Sequence, residues 1–183
     1  FLGLSQIASF GFLFYAFALL REPLAIHLGI APTIVLSAVS GALLIQGVLS
    51  FTVGKWSDEH GGLRVMAIGF FIGAIGIASL TIAVNIIMMC ISFLLIGIAI
   101  AMCTYEVAFS TVVQLDERRS RWLISVVSFY GGVASSLAWL SLQPILSTYG
   151  FVTACLCAAS LLAIMAVIAA YHSRKTQPRH STK

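Results

Sequence analysis

The sequence predicts an all-α, polytopic membrane protein. Of its 183 residues 60% are hydrophobic and only 9% charged, and the apolar residues gather in six long runs. A soluble domain carries about 25% charge and covers its surface with it. Ten Lys and Arg with six Asp and Glu are too few for that, and a mean hydropathy of +1.06 points to lipid as the solvent. The runs are continuously apolar and lack the alternation of a barrel wall, so helices must satisfy their backbone groups.

The runs are Phe1–Leu20, Ile30–Val53, Val65–Val84, Ile86–Leu115, Trp122–Leu146 and Gly150–Tyr171. Each reaches the roughly 20 residues that cross about 30 Å of hydrocarbon. They predict one six-helix transmembrane domain over 1–171 and a basic tail over 172–183, with no room for a soluble domain.

The first run has no basic segment ahead of it and is followed by Arg21-Glu22-Pro23, so it is a retained helix, not a signal peptide. It opens without Met or a polar leader, and a start trimmed from a longer chain is expected. The second run ends in a polar turn, Gly54 to Arg64, described below. The third carries Gly69, Gly73 and Gly76, a small-residue step that brings a neighbouring backbone close. Packing inside the bundle is the expected use, with dimerisation through that face the alternative.

The fourth run holds Glu106, the one charged residue well inside an apolar run. A carboxylate at that depth is expensive and a functional candidate by default. Ten residues before Asp116, it lies about 15 Å along the helix, at or just inside the midplane. Proton coupling and pairing with a cationic solute both fit, as does a structural hydrogen bond across the bundle. The fifth run offers Gly131-Gly132 and Pro144, and the sixth leads into the tail.

Cations orient the chain. With the first helix starting at the cytoplasm, Lys55, Arg64, Arg118, Arg119, Arg121, Arg174, Lys175, Arg179 and Lys183 are all inside, and only Arg21 is outside. A cell-membrane protein with a cytoplasmic tail is expected. The net charge of +4 reports topology and lipid contact, and no basic stripe with interleaved aromatics suits nucleic acid.

Six helices divide into two sets of three, the unit of the inverted repeats of carriers. Faint traces of a repeat are Tyr15-Ala16-Phe17 against Tyr105 to Phe109, and Asp58-Glu59-His60-Gly61 against Ser147-Thr148-Tyr149-Gly150.

The most specific stretch is Gly54-Lys55-Trp56-Ser57-Asp58-Glu59-His60-Gly61-Gly62-Leu63-Arg64. Gly54, Asp58, Gly61 and Arg64 match a pattern of Gly, three residues, Asp, two residues, Gly, two residues and a basic residue. This resembles the signature loop of the major facilitator superfamily, between the second and third helices on the positive-inside face. Pro23-Leu24 and Leu28-Gly29-Ile30 look like that family's connection between helices 1 and 2. Gln143-Pro144 with Tyr149-Gly150 looks like the end of helix 5. The resemblance covers nearly the whole chain as the amino-terminal half of twelve helices.

The resemblance implies a secondary transporter that moves a small solute by alternating access, completed by a second six-helix half or another copy. Gly54, Asp58, Gly61 and Arg64 would belong to its cytoplasmic gate. Without the family, Asp58 is a helix cap or an ion-pair partner of Arg64, and the stretch is an ordinary polar turn. Gln6, Tyr15, Gln46, Tyr105, Tyr130, Ser135 and Trp139 fall where the family lines its cavity. The fifth run lacks the Gly-Pro-Gly signature of drug antiporters, which argues against a multidrug antiporter. Trp56 and Trp122 read as interfacial anchors.

Enzyme signals are absent and no cofactor or metal is implied. His27, His60, His172 and His180 lie in loops or at helix ends, and Cys90, Cys103, Cys155 and Cys157 lie in apolar runs without C-x-x-C spacing. Buried small thiols are expected.

Overall fold

The computed structural model describes residues 1–116 and 118–175. Among them every regular element is helical. Five helices are long and apolar enough to cross a membrane: α1 (Leu2–Leu28), α2 (Pro32–His60), α3 (Gly62–Ile82), α4 (Ile86–Leu115) and α5 (Ser120–Lys175). The tail expected from 172 begins as the last turn of α5, and its remainder from 176 lies outside the described residues.

Local chemistry sets the helix limits. The helix continues through Pro23 to Leu28, past the connection expected there, since a proline inside a membrane helix is tolerated among packed neighbours. It stops at Gly29, whose φ of 64° lets the Gly29 and Ile30 N–H groups bond back to the Ile26 and Ala25 carbonyls. Pro32 then opens α2 at a position where no N–H is needed. Asn85 caps α4, its side chain accepting the Met88 N–H at 2.9 Å.

The fifth and sixth apolar runs form one continuous element, α5, interrupted at Gly150 (φ 82°, ψ 178°). Ring and glycine contacts give the direction of its two parts. An added Cβ on Gly3 would meet the Tyr130 ring, and one on Gly11 would meet the Ala134 carbonyl and Ala138, so the first part runs in the sense of α1. The His27 ring lies 5.6 Å from Phe151 and the Phe1 ring stacks 5.0 Å from His172, so the second part runs against α1. The chain reverses at Gly150, which adopts a backbone conformation that a β-carbon resists.

Close packing joins α3 to α4 through the expected glycines. An added Cβ would lie 2.6 Å from both Met102 Cβ and Cys103 Sγ at Gly69, 2.6 Å from Leu13 Cδ2 at Gly73, and 2.9 Å from Ile96 Cγ1 at Gly76. That face is therefore filled within the bundle, and dimerisation through it has no room. Gly97 of α4 lies on α2, where a Cβ would sit 2.5 Å from the Ala42 carbonyl oxygen. The core runs through Leu24, Met66, Phe70, Met89, Leu142 and Leu162, all fully buried. By contrast α2 faces outward, with 17% of its most apolar window buried against 56% for α3 and for α4.

These contacts also sort the ends of the bundle. α2 and α4 are parallel, since Ala42 meets Gly97 and Asp58 meets Ser110. α1 is antiparallel to α4, since Gln6 meets Cys103 and Leu13 lies with Ala99 on Gly73. One end thus gathers Lys55, Arg64, Arg118, Arg119, Arg121, Arg174 and Lys175, and Arg21 alone among the described cations lies at the other, 3.3 Å from Glu22.

Candidate functional site

Two helices lose regular winding where they face each other within the apolar layer. In α1 the stretch Ser9–Tyr15 is wound as a π-helix, a form often found at functional sites. In α4 the helix breaks at Thr104 (φ −87°, ψ −167°), dividing it into Ile86–Cys103 and Tyr105–Leu115. A break at membrane depth frees backbone groups that lipid cannot satisfy, so side chains must. Gln6 does this across the interface: its Nε2 donates to the Cys103 carbonyl at 3.2 Å. The Gln6 side chain is fully buried and its Oε1 has no partner, which leaves one open acceptor at the break.

The Thr104 hydroxyl lies 2.8 Å from the Ile100 carbonyl and 2.9 Å from Glu106 Oε2. It has one proton for two acceptors. The hydroxyl donates to one of them at a time.

Aromatic rings surround the break on the side of α1. Phe10 lies 4.4 Å from Tyr105 and 6.4 Å from Tyr15, Phe14 meets Tyr15 edge-on at 5.2 Å, and Tyr105 stacks on Phe109 at 5.0 Å. The Tyr105 hydroxyl donates to the Ser128 carbonyl at 3.2 Å, and its ring fills the space that Gly131 leaves in α5. Beside this cluster Leu13, Phe14, Phe17, Val39, Phe93 and Ile96 line a narrow apolar recess of about 10 Å³.

Glu106 was expected as a buried carboxylate; the structure exposes it, in the first turn after the break. It belongs to a polar stripe, Glu106, Ser110 and Gln114, at helical spacing on one face of α4. Lower on that stripe the Ser110 hydroxyl and Gln114 Nε2 donate to Asp58 Oδ1 at 2.8 and 3.3 Å. With α2 and α4 parallel, Glu106 stands one turn above Ser110, level with Gly54. An added Cβ at Gly54 would meet nothing within 4 Å, and the carboxylate is exposed.

The turn carrying Gly54, Asp58, Gly61 and Arg64 is shorter than the sequence implies. Gly54 through His60 are helical, and the reversal rests on Gly61 (φ 86°). Helix ends do not crowd Gly54; the tight position is Gly62, where a Cβ would collide with the Thr111 hydroxyl of α4. Asp58 neither caps α3 nor pairs with Arg64 among the described ion pairs, because Ser110 and Gln114 already hold it. Arg64 is exposed in the first turn of α3.

The other expected lining residues do not converge. Gln46 is half-buried on the outward α2; Tyr130 is exposed and rests on Gly3; Trp139 is exposed. Tyr15, Tyr105 and Glu106 are brought together. Cys103 and Cys155 are buried as expected, whereas Cys90 and Cys157 are exposed on the apolar perimeter.

No family model, curated protein or solved structure matches the chain. The residues that sequence reasoning passed over are Phe10, Thr104, Ser110 and Gln114. A signal existed for two of them: Ser110 and Gln114 continue the Glu106 face every four residues.

Proposed function

We propose that the chain is one wall of a secondary carrier that moves a small solute across a cell membrane by alternating access. The observation that carries this reading is the pair of facing interruptions, Ser9–Tyr15 in α1 and Thr104 in α4, with Glu106 beside them. Broken helices at membrane depth are how carriers build binding sites, since irregular backbone is tolerated only where protein or a cavity covers it. The reversal at Gly150 supports six crossings, with α5 supplying two. The interruptions then fall in the first helix of each set of three, as an inverted repeat implies.

The cation-rich end lies in the cytoplasm. Asp58, held between α2 and α4, belongs to the gate at that end with Arg64, Gly54 and Gly61. Glu106, hydrogen-bonded to Thr104 at the break, couples transport to a proton or to the solute's own charge. The outward face of α2 is covered by a second six-helix half or another copy, which closes the cavity. The resemblance of residues 54–64 to the major facilitator signature agrees with this reading.

A non-transporting, partner-binding membrane subunit is the second reading, favoured by the same exposed α2. Counterflow separates the two. Vesicles containing the purified chain and preloaded with an unlabelled solute exchange it for labelled solute faster than protein-free vesicles if it is a carrier. A panel of amines, sugars, amino acids and carboxylates, none exchanged above the protein-free rate, contradicts the carrier reading.

A further inference from the structure

Resting on the carrier reading above, we infer that the site at the α4 break recognises an organic ammonium, a monovalent cation carrying an apolar or aromatic group. Glu106 is a carboxylate within an apolar helix that no described cation pairs with; the described ion pairs are Arg21 with Glu22 and Lys55 and His60 with Glu59. Of the described Lys and Arg, Lys55 lies closest to Glu106 in register and is 3.9 Å from Glu59, and no described ion pair joins Glu106 to any of them. A cation from solution is therefore free to supply the counter-charge.

The surroundings select which cation. Phe10, Phe14, Tyr15, Tyr105 and Phe109 form a continuous run of rings across α1 and α4, each within 6.4 Å of the next. Ring faces are electron-rich and attract an ammonium group, and their area takes up its apolar substituent. Tyr105 and Glu106 are consecutive, about 100° apart around the helix, so ring and carboxylate occupy adjoining faces. A bare Ca²⁺ or Mg²⁺ needs a shell of about six oxygens, and no cluster of three His, Cys, Asp or Glu exists among the described residues. An anion is repelled by Glu106, and no described Arg or Lys pairs there to offset it. Glu106 is exposed and so open to approach.

Equilibrium dialysis of labelled benzyltrimethylammonium against the full chain in a neutral detergent tests this. The expected result is saturable binding that other organic ammonium ions displace, and that neither benzoate nor neopentylbenzene, the uncharged isostere, displaces. Glu106→Gln weakens binding by about tenfold or more, the equivalent of one lost charge contact. Tyr105→Leu weakens it several-fold, while Tyr105→Phe, which keeps the ring, binds as the parent does. Absence of saturable binding, equal displacement by benzoate or the isostere, or unchanged binding in Glu106→Gln overturns the inference. If Glu106→Gln does not fold, the competition on the unmodified chain decides alone. Saturable ammonium binding without counterflow overturns the carrier reading and leaves the cation site. Counterflow of a neutral or anionic solute that ammonium does not inhibit does the reverse.

Discussion

Gln6 and Cys103, 97 positions apart, are joined by a 3.2 Å hydrogen bond from the Gln6 amide to the Cys103 carbonyl, on the residue just before α4 breaks. The bond replaces the helical partner that the break removes, and it ties the interruption in α4 to the helix carrying the π segment.

Replacing Gln6 by Met keeps the volume and removes the donor, leaving a buried carbonyl unpaired. The expected cost is about 1–2 kcal/mol. An orphaned buried acceptor costs about 1–3, and the lower part applies because a helix unfolded within lipid finds other partners. Equilibrium unfolding in mixed micelles measures it; unchanged stability would show that Thr104 alone organises the break.

The glycines should rank by the stiffness of what they touch. Gly97→Ala drives a Cβ onto the Ala42 backbone and Gly69→Ala onto Met102 Cβ, whereas Gly73→Ala meets the movable tip of Leu13. Overpacking of the first two is expected to cost about 1–3 kcal/mol, with Gly73→Ala less costly. Gly47→Ala, with nothing within 4 Å, should be neutral or stabilising by up to about 1 kcal/mol. The same unfolding assay reads the order, and a Gly47 variant as unstable as the Gly97 variant would mean α2 packs differently.

The reversal at Gly150 makes a topological prediction. Single cysteines at Trp122 and Tyr171 should react with an impermeant thiol reagent from one side of a vesicle, and one at Tyr149 from the other. Reaction of positions 122 and 171 from opposite sides would mean that α5 crosses once.

Asp58 and Ser110 are expected to couple. Single and double alanine variants should show an interaction of about 0.5–1 kcal/mol, modest because Asp58 is exposed and water competes for its oxygens. Additive losses would remove Asp58 from the clamp between α2 and α4.

Hydropathy made the helical spans legible, because burial in lipid acts on side chains one by one and leaves long apolar runs. The spacing of Gly69, Gly73 and Gly76 likewise disclosed a close helix contact, since only their missing side chains permit it. The break at Thr104 and the π winding of Ser9–Tyr15 left no trace in hydropathy, which ignores backbone winding. The partner of Asp58 was missed for a related reason. Helix continues through Gly54 to His60, so Asp58 faces α4 and not the loop. Glu106 was found by its charge, but its exposure depends on how α4 sits among the other helices, which carries no periodic signal.

Solute uptake into vesicles under an imposed pH gradient, with the parent chain beside Glu106→Gln, is the decisive measurement. Uptake by the parent is expected to depend on the gradient, and the variant to lose that dependence while retaining its helical content. A variant whose uptake follows the pH gradient as the parent's does would contradict coupling at Glu106 and, with it, the role assigned to the broken helix.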